Sequence, residues 1–370
     1  LWTMERNAYY WKVEIAGNQL PYIDHITHTL ASDADMVTMK AVMGEIDMQF
    51  RHILISNYPL LMENRDKGDY RVIVWDTGDG SNCQLMFNQN YHEDEDMGEL
   101  IRNKDFRIAL SLAINRDEIN QLCYFGLGEP RQATVIPSCP TYEEKFAKAY
   151  IEYDPEKAND ILDELGLNRD KDGFRTFSSG KVAALTIELT QAFGPYVDVA
   201  ELIKGYWEAV GVKTAIKVEE RSLHYTRIRA GLHQIAVWNM DGAFYPQFLT
   251  YPYWFIPYAA DSRIAPLSGV WYQTGGRGGE EPEGDLKKVI SLYDEAIKTA
   301  DPNERLTLAK EIIKLHSENL WTIGTVGLAP ATQGIGVVKN NFRNVPEKAL
   351  SDVTLNSPGN THPEQYFFKK

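Results

Sequence analysis

The chain has 370 residues, 44% of them apolar and 24% charged, with 52 acidic against 38 basic side chains and a net charge of −14. That length and apolar content exceed what one ordinary core accommodates, so two lobes or domains are expected. The acidic balance argues against nucleic acid or an anionic membrane surface as partner, since both demand a basic patch, and no run of about 18 apolar residues is present to span a bilayer.

The N-terminal LWTMERNAYYW carries neither the basic segment nor the apolar segment of an export signal. Three cysteines, Cys83, Cys123 and Cys139, form no CxxC pair. Free thiols are the plain reading, with a Cys123–Cys139 bridge as the alternative.

In chain order, Ile23 to Leu30 alternates like a strand, and Met36, Met39, Lys40 and Met43 have helical spacing that stops at Gly44. His25 and His28 on such a strand point to opposite faces, which makes a poor metal pair. YRVIVW (70–75) and QLMFNQN (84–90) read as strands around the glycine-rich turn DTGDGSN, a candidate hinge. The acidic run from His92 to Glu99 reads as a solvated loop. A helical face follows at Phe106, Leu110, Ala113 and Ile114, and Asn115 with Glu118 has the spacing of a capping box.

YDPEKANDILDELG is a fully signalled helix, with Asp154 as N-cap, Pro155 at the first position and Gly166 as the stop. NRDKDGFR has Asn168, Asp170, Asp172 and Gly173 in the order of a calcium loop, but Ser179 stands where the bidentate glutamate belongs, so an Asp-Gly turn is expected. From Leu185 the pattern is LTIELT, a helix through Val199, Ile203, Trp207 and Val210, VKTAIKV, SLHYTRIRAG, and LHQIAVWN. Strands alternating with helices predict a mainly parallel sheet covered on both faces, with ligands beyond the carboxyl ends of the strands.

At that end of the last strand lies the most distinctive stretch, Trp238 to Tyr272, in which eleven of 35 residues are aromatic. Pro246, Pro252, Pro257 and Pro266 oppose a long helix, so irregular backbone carrying flat side chains is expected, as a lid or as a pocket wall. Phe244, Phe248, Phe255 and Tyr258 suit the buried side of a lid. Indole and phenol rings combine a flat apolar face with a polar edge. The candidate ligand-contacting set is therefore Trp238, Asn239, Asp241, Phe244, Tyr245, Trp254, Trp271 and Tyr272. Asp241 is suited to a ligand ammonium or to sugar hydroxyls, and equally to capping a turn.

The glycines of TGGRGGEEPEG lack the Lys-Ser/Thr of a phosphate cradle, and read as a flexible linker before two helices. Asp301 and Pro302 open the second of these. GxSxG, HExxH and GxGxxG are all absent, the eight histidines are scattered, and no catalytic, metal or cofactor constellation can be assembled.

Five blocks, RNAYYW with GNQLPYIDHI, MKAVMGEIDM, KDFRIALSLAINRDEI, YDPEKANDILDELGL and the strand into WNMDG, resemble in this order the extracellular solute-binding proteins of peptide-type ABC importers, solute-binding family 5. FRIALSLAINRDEI is the most specific; the segment Asn7 to Trp11 resembles the family's NPxYW with Ala8 in place of proline. The resemblance implies a mixed α/β, periplasmic-binding-protein-like (type II) clamshell that holds ligand between two lobes and performs no catalysis. It implies an extracytoplasmic protein, periplasmic or lipid-anchored at the outer face of the membrane. It also implies a monomer that delivers its solute to membrane permease subunits.

Members run well beyond this length, and the NPxYW segment normally lies far from the N-terminus. The chain is thus expected to be a C-terminal portion with one lobe truncated: 1–85 and 326–370 in lobe one, 86–325 the complete second lobe. In peptide-binding relatives an aspartate after the strand matching LHQIAVWN holds the peptide amine, and Asp241 occupies that position. Other relatives bind oligosaccharides, which the tryptophans and tyrosines of the stretch also suit. An enzyme pairing Asp241 with an acid of the Glu280 to Glu283 run, and a ligand sensor, are the alternatives from other classes.

Overall fold

The structure is a computed structural model that describes residues 1–191, 193–252 and 254–369. The chain divides into two compact units, Asp79–Leu328 and Leu1–Gly78 with Ala329–Lys370.

The larger unit is built on a five-stranded sheet. Its strands are β1 (Gln84–Phe87), β2 (Ala184–Leu189), β3 (Lys213–Val218), β4 (Ile235–Trp238) and β5 (Thr322–Gly324), in the spatial order β3-β2-β4-β1-β5. β2 pairs in parallel with β3 and with β4, from Ala184↔Lys213 and from Ile187↔Ile235. β1 runs antiparallel to both β4 and β5. The sheet is therefore mixed, not simply parallel as the alternation suggested. β2, β3 and β4 follow one another through single helical crossovers, whereas β1 enters from a segment far away in sequence, so no such crossover dictates its direction.

Helix α1 (Tyr196–Ala209) links β2 to β3, and α2 (Arg221–Arg229) links β3 to β4. Val199, Ile203 and Trp207 form the buried stripe of α1, and Gly211, at φ +89°, stops the chain two residues beyond its end. Trp207 is fully buried and donates its indole N–H to the carbonyl of Leu110 at 3.0 Å. The three central strands are buried on both faces: Leu85, Phe87, Ile187, Leu189, Ile235 and Val237 on one, and Met86, Glu188 and Ala236 on the other, are at most 2% exposed.

Local sequence signals are honoured where side chains can satisfy backbone groups directly. Asp154 caps Pro155–Glu164 by accepting from Lys157 N, and Asn115 caps Arg116–Tyr124 by accepting from Glu118 N. The Asp170–Gly173 region is the turn of a hairpin pairing Asn168–Arg169 with Arg175–Thr176, and Asp170 accepts from Asp172 N and Phe174 N. The acidic run is not merely a solvated loop. Asp94 accepts from Met97 N and opens Glu95–Arg102, because carboxylates stabilise the positive end of a helix.

The buried arginines of the FRIALSLAINRDEI block tie it to the rest of the unit. Arg107 donates to the carbonyls of Ile101, Asn319 and Leu320, and Arg116 to those of Ser111 and Gly324. Burial lowers their pKa values to about 10 and about 9, which leaves both charged at neutral pH. The three cysteines are buried and free.

The smaller unit pairs Ile335–Lys339 antiparallel with Tyr70–Val74 on one side and Met48–Gln49 on the other. Its core gathers Phe50, Ile73, Trp75, Val338, Phe342, Val345 and Tyr366. Phe50 and Trp75 stack at 3.9 Å between centroids, and a Cβ on Gly336 would lie 2.2 Å from the Phe50 ring. The methionine-bearing helix is present as Ala34–Val42, yet Met36 and Met39 are exposed, as is every residue of the ribbon pairing Trp2–Glu5 with His25–His28.

Candidate functional site

Three parallel strands deliver their following residues to one edge of the sheet. Phe193 and Tyr196 come after β2, Arg221, His224 and Tyr225 after β3, and Trp238 ends β4. This is the edge where ligands bind in such folds. Around Trp238 the ring centroids of Tyr225, Phe193, Tyr196 and His224 lie at 5.8, 5.9, 6.4 and 6.4 Å, with His224 nearly parallel at 13°. Two guanidiniums lie over the same indole, Arg263 at 4.7 Å and Arg221 at 5.3 Å.

The antiparallel strand β1 reaches the same edge from the other side, with Gln84 opposite Trp238. Just before it, Gly80 donates to the carbonyl of Met240 at 2.9 Å, and Met240 donates to that of Ser81 at 2.7 Å. Asn239 is thereby held over Asp79: its amide donates to Asp79 Oδ1 at 3.3 Å and accepts from the Tyr196 hydroxyl at 3.1 Å. Burial, with Cys83, Asp79 and Asp241 nearby, pushes the Tyr196 phenol well above its ordinary range, so it is a donor at any physiological pH.

Asp241 is buried, and the indole N–H of Trp254 donates to both its Oδ1 and its backbone carbonyl at 2.9 Å. Arg263 stands over Trp254 as well, at 5.4 Å. Trp238, Asn239, Asp241 and Trp254 thus belong to one constellation, which Arg263 links through the two indoles.

Tyr245, Trp271 and Tyr272 have their partners elsewhere. Tyr245 and Phe244 are half-buried; the Tyr245 hydroxyl accepts from Arg305 Nε at 3.2 Å, and its backbone N–H donates to Cys139 Sγ at 3.1 Å. Trp271 and Tyr272 sit on helix α3 (Pro266–Thr274), against α4 (Gly284–Ala296), where the Tyr272 hydroxyl donates to Asp294 Oδ1 at 2.5 Å. They line a surface depression of about 330 Å³ with Lys287, Ile290, Ser291 and Asp294. Among the described residues no ring contact or hydrogen bond joins them to Trp238.

The expected irregular stretch therefore ends inside a nine-residue helix. Pro266 does not prevent it, because at the first helical position its missing N–H and fixed φ cost nothing. Phe248 and Phe255 are fully buried, 5.5 Å apart, with Phe255 5.1 Å from His316 on α5 (Pro302–Asn319), as suits the inner side of a lid. The glycines after α3 are also more than a linker. Gly279, at φ +79°, packs where a Cβ would lie 2.2 Å from the carbonyl oxygen of Leu267 and 2.5 Å from Trp271 N.

The acids after α3 have partners of their own. Glu280 contacts His92 at 2.7 Å and Glu281 contacts Lys287 at 2.6 Å; neither contact joins Asp241. Among the described residues no group of three or more His, Cys, Asp or Glu side chains is placed to hold a metal, and no helix is long and apolar enough to cross a membrane.

Phe193, Tyr196, Arg221, His224, Tyr225, Arg263 and Asp79 were not singled out from sequence. The rule that pointed to Trp238, that ligand groups follow the carboxyl ends of parallel strands, applies equally to Phe193 and Arg221. Arg263 and Asp79 carry no such signal, since only tertiary packing brings Arg263 to the indoles and Asp79 to Asn239.

A mixed α/β unit with its site at the strand ends is the arrangement of the periplasmic binding proteins. The model for the bacterial extracellular solute-binding proteins, family 5 Middle, matches residues 1–263, and the chain belongs to this family. It is 24% identical over 363 residues to the periplasmic alpha-galactoside-binding protein of Rhizobium meliloti, covering 94% of this chain and 50% of that protein. It is 28% identical over 137 residues to the dipeptide-binding protein of Escherichia coli, covering 37% of this chain and 24% of that one. Among solved structures, an oligopeptide-binding protein OppA superposes with a TM-score of 0.75 at 39% identity, over 100% of this chain and 60% of that one. The periplasmic binding protein MelB of Agrobacterium fabrum, in complex with stachyose, superposes with a TM-score of 0.75 at 20% identity, over 99% and 55%. The chain thus spans about half of the alpha-galactoside-binding protein it matches.

Proposed function

We propose that this chain is the solute-binding part of an ABC importer, working outside the cytoplasm as a monomer, capturing a small oligomer and passing it to membrane permease subunits. The observation that carries the reading is the gathering of Trp238, Asn239, Asp241 and Trp254 at the carboxyl ends of parallel strands, in a member of this family. Flat rings offer stacking surface, and Asp241 offers a carboxylate already oriented by Trp254.

The relatives' names support two solute classes, alpha-galactosides and short peptides. Both present what the constellation recognises: an apolar face together with hydroxyl or ammonium donors. We infer further that capture involves no turnover, as in a family of solute-binding proteins.

A thermal-shift screen of the chain against raffinose, stachyose and di- to pentapeptides tests the reading. A true solute at a hundred times its Kd stabilises by about 2.7 kcal/mol. A screen silent in both classes, or hydrolysis of a bound oligomer, refutes it.

A further inference from the structure

Of the eight tryptophans, seven have a ring partner or a bonded indole N–H. Trp2 lies beside His28, Trp11 beside Tyr10, Trp75 on Phe50 and Trp321 beside His316. Trp207, Trp238 and Trp254 are engaged as described above. Trp271 is the exception. Among the described residues its ring meets no other ring and no cation, and its indole N–H donates no hydrogen bond. It is half-buried on α3, and the turn that follows leaves the indole uncovered. A Cβ on Gly275 would meet nothing within 4 Å, and one on Gly276 would meet only this indole, 3.4 Å from Nε1.

The neighbouring helix supplies polar groups in a fixed arrangement. Lys287, Ile290, Ser291 and Asp294 follow one another at the three- and four-residue steps that share one face of α4. With Trp271, Tyr272 and Gly275 they line the depression of about 330 Å³, a volume near the lower limit for a small-ligand site. Ile290, 5% exposed, is its apolar part on α4. Asp294 is held in place: the Tyr272 hydroxyl donates to Oδ1 at 2.5 Å, while Oδ2 has no partner among the described residues. Burial and that bond push the Tyr272 phenol above its ordinary range, so it stays a donor. The Ser291 hydroxyl donates to the Lys287 carbonyl at 3.1 Å, which leaves its oxygen free to accept. The Lys287 ammonium is neutralised by Glu281 at 2.6 Å.

We propose that this depression is a carbohydrate subsite, separate from the Trp238–Asp241 constellation, and that it seats one neutral pyranose ring. A pyranose has a flat C–H face, which an uncovered indole matches, and a rim of hydroxyl donors, which Asp294 Oδ2 and the Ser291 oxygen accept. An anionic ligand is opposed by Asp294, because Lys287 is already paired. A peptide offers neither the flat face nor adjacent hydroxyls. The inference does not rest on the capture reading: the site holds a sugar ring whether or not that sugar is the captured solute.

Proton–nitrogen correlation spectra of the chain test it. The Trp271 indole N–H signal is assigned by its loss in Trp271→Phe. It is then followed as methyl α-galactoside, methyl α-glucoside or trialanine is added. A single open platform for about a dozen ligand atoms supports a Kd on the order of 1–10 mM, so each probe is taken to about 50 mM. Saturable movement with at least one glycoside and none with trialanine is the expected result. Ser291→Arg puts a long side chain into the depression from an exposed helical position, and is expected to abolish the movement at an unchanged melting temperature. Asp294→Asn is expected to weaken the glycoside at least about fivefold. Asp241→Asn is expected to leave the Trp271 titration unchanged, which separates this site from the one at β4. A signal that stays still with both glycosides, follows trialanine equally, or still moves in Ser291→Arg overturns the subsite. So does a signal that moves with protein concentration and not with sugar, which assigns the face to a second copy of the chain. Each of these failures leaves solute capture standing, because the thermal-shift screen reads capture independently.

Discussion

Trp254 is joined to Asp241 by one indole N–H that serves two acceptors, the carboxylate Oδ1 and the backbone carbonyl, each at 2.9 Å. The aspartate is thereby aimed before any solute arrives, and the aromatic stretch is anchored to the end of β4. Trp254→Phe keeps the ring and removes the donor. We expect a loss of about 1–3 kcal/mol from two buried acceptors deprived of it, read as a lower urea midpoint. An unchanged midpoint would show that the bond is incidental.

Asp241→Asn keeps an acceptor for Trp254 but removes the negative charge. Stability is expected to change by less than about 1 kcal/mol, while affinity for a solute engaging the carboxylate falls at least about tenfold, or 1.4 kcal/mol. Calorimetry on the solute from the thermal-shift screen checks this. Wild-type affinity in the variant would remove Asp241 from the site.

Three histidines of the larger unit are buried and are held neutral by burial: His233 with its pKa lowered to about 3, His224 and His316 to about 4, from an ordinary 6.5. Below pH 6.5 the unfolded chain takes up protons that the folded chain refuses. Stability is therefore complete above that pH and is lost as pH falls towards 4, each group contributing up to about 1.4 kcal/mol per pH unit. Urea midpoints should be flat from pH 8 to 7 and fall steadily from 6.5 to 5, a window above most carboxylate titration. His316→Phe, among Phe255 and Trp321, should make the fall shallower. A flat profile from pH 7 to 5 would contradict the burial argument.

Arg107 connects three carbonyls, two of them at the end of α5. Arg107→Ala strands all three in a buried setting, and a destabilisation of about 3 kcal/mol or more is expected. Arg107→Lys, a point donor without the fork, should recover only part of it. Equal stability of the alanine variant and wild type would show that water replaces the guanidinium.

Much of the local structure was legible because its causes are local. Asp154, Asn115 and Asp301 cap helices in the structure as their spacing predicts, since a side-chain oxygen reaches a backbone N–H only a few residues ahead. The Asp170–Gly173 turn was legible for the same reason. Less legible was what depends on neighbours distant in sequence. The direction of β1 is set by pairing with strands encoded about 150 and 240 residues later. The aromatic stretch was visible as a composition, but composition does not say which rings share a site. Trp271 and Tyr272 go to α3, beside α4, while Trp238 and Trp254 meet through Arg263.

What the sequence by itself determined is the family, the alternation of strands and helices, and the placing of Trp238 and Asp241 at a strand end, because periodicity, caps and ordered motifs are properties of short segments. Only the tertiary structure decided that Asp241 is held by Trp254, that Arg263 lies between two indoles, and that Arg227 and Arg229 are paired with Glu188 and Asp261 while, among the described residues, Arg221 and Arg263 have no ion pair. Those are facts about distance between segments far apart in the chain. Burial turns each into an energy, by removing the water that would otherwise screen the charge and satisfy the donor.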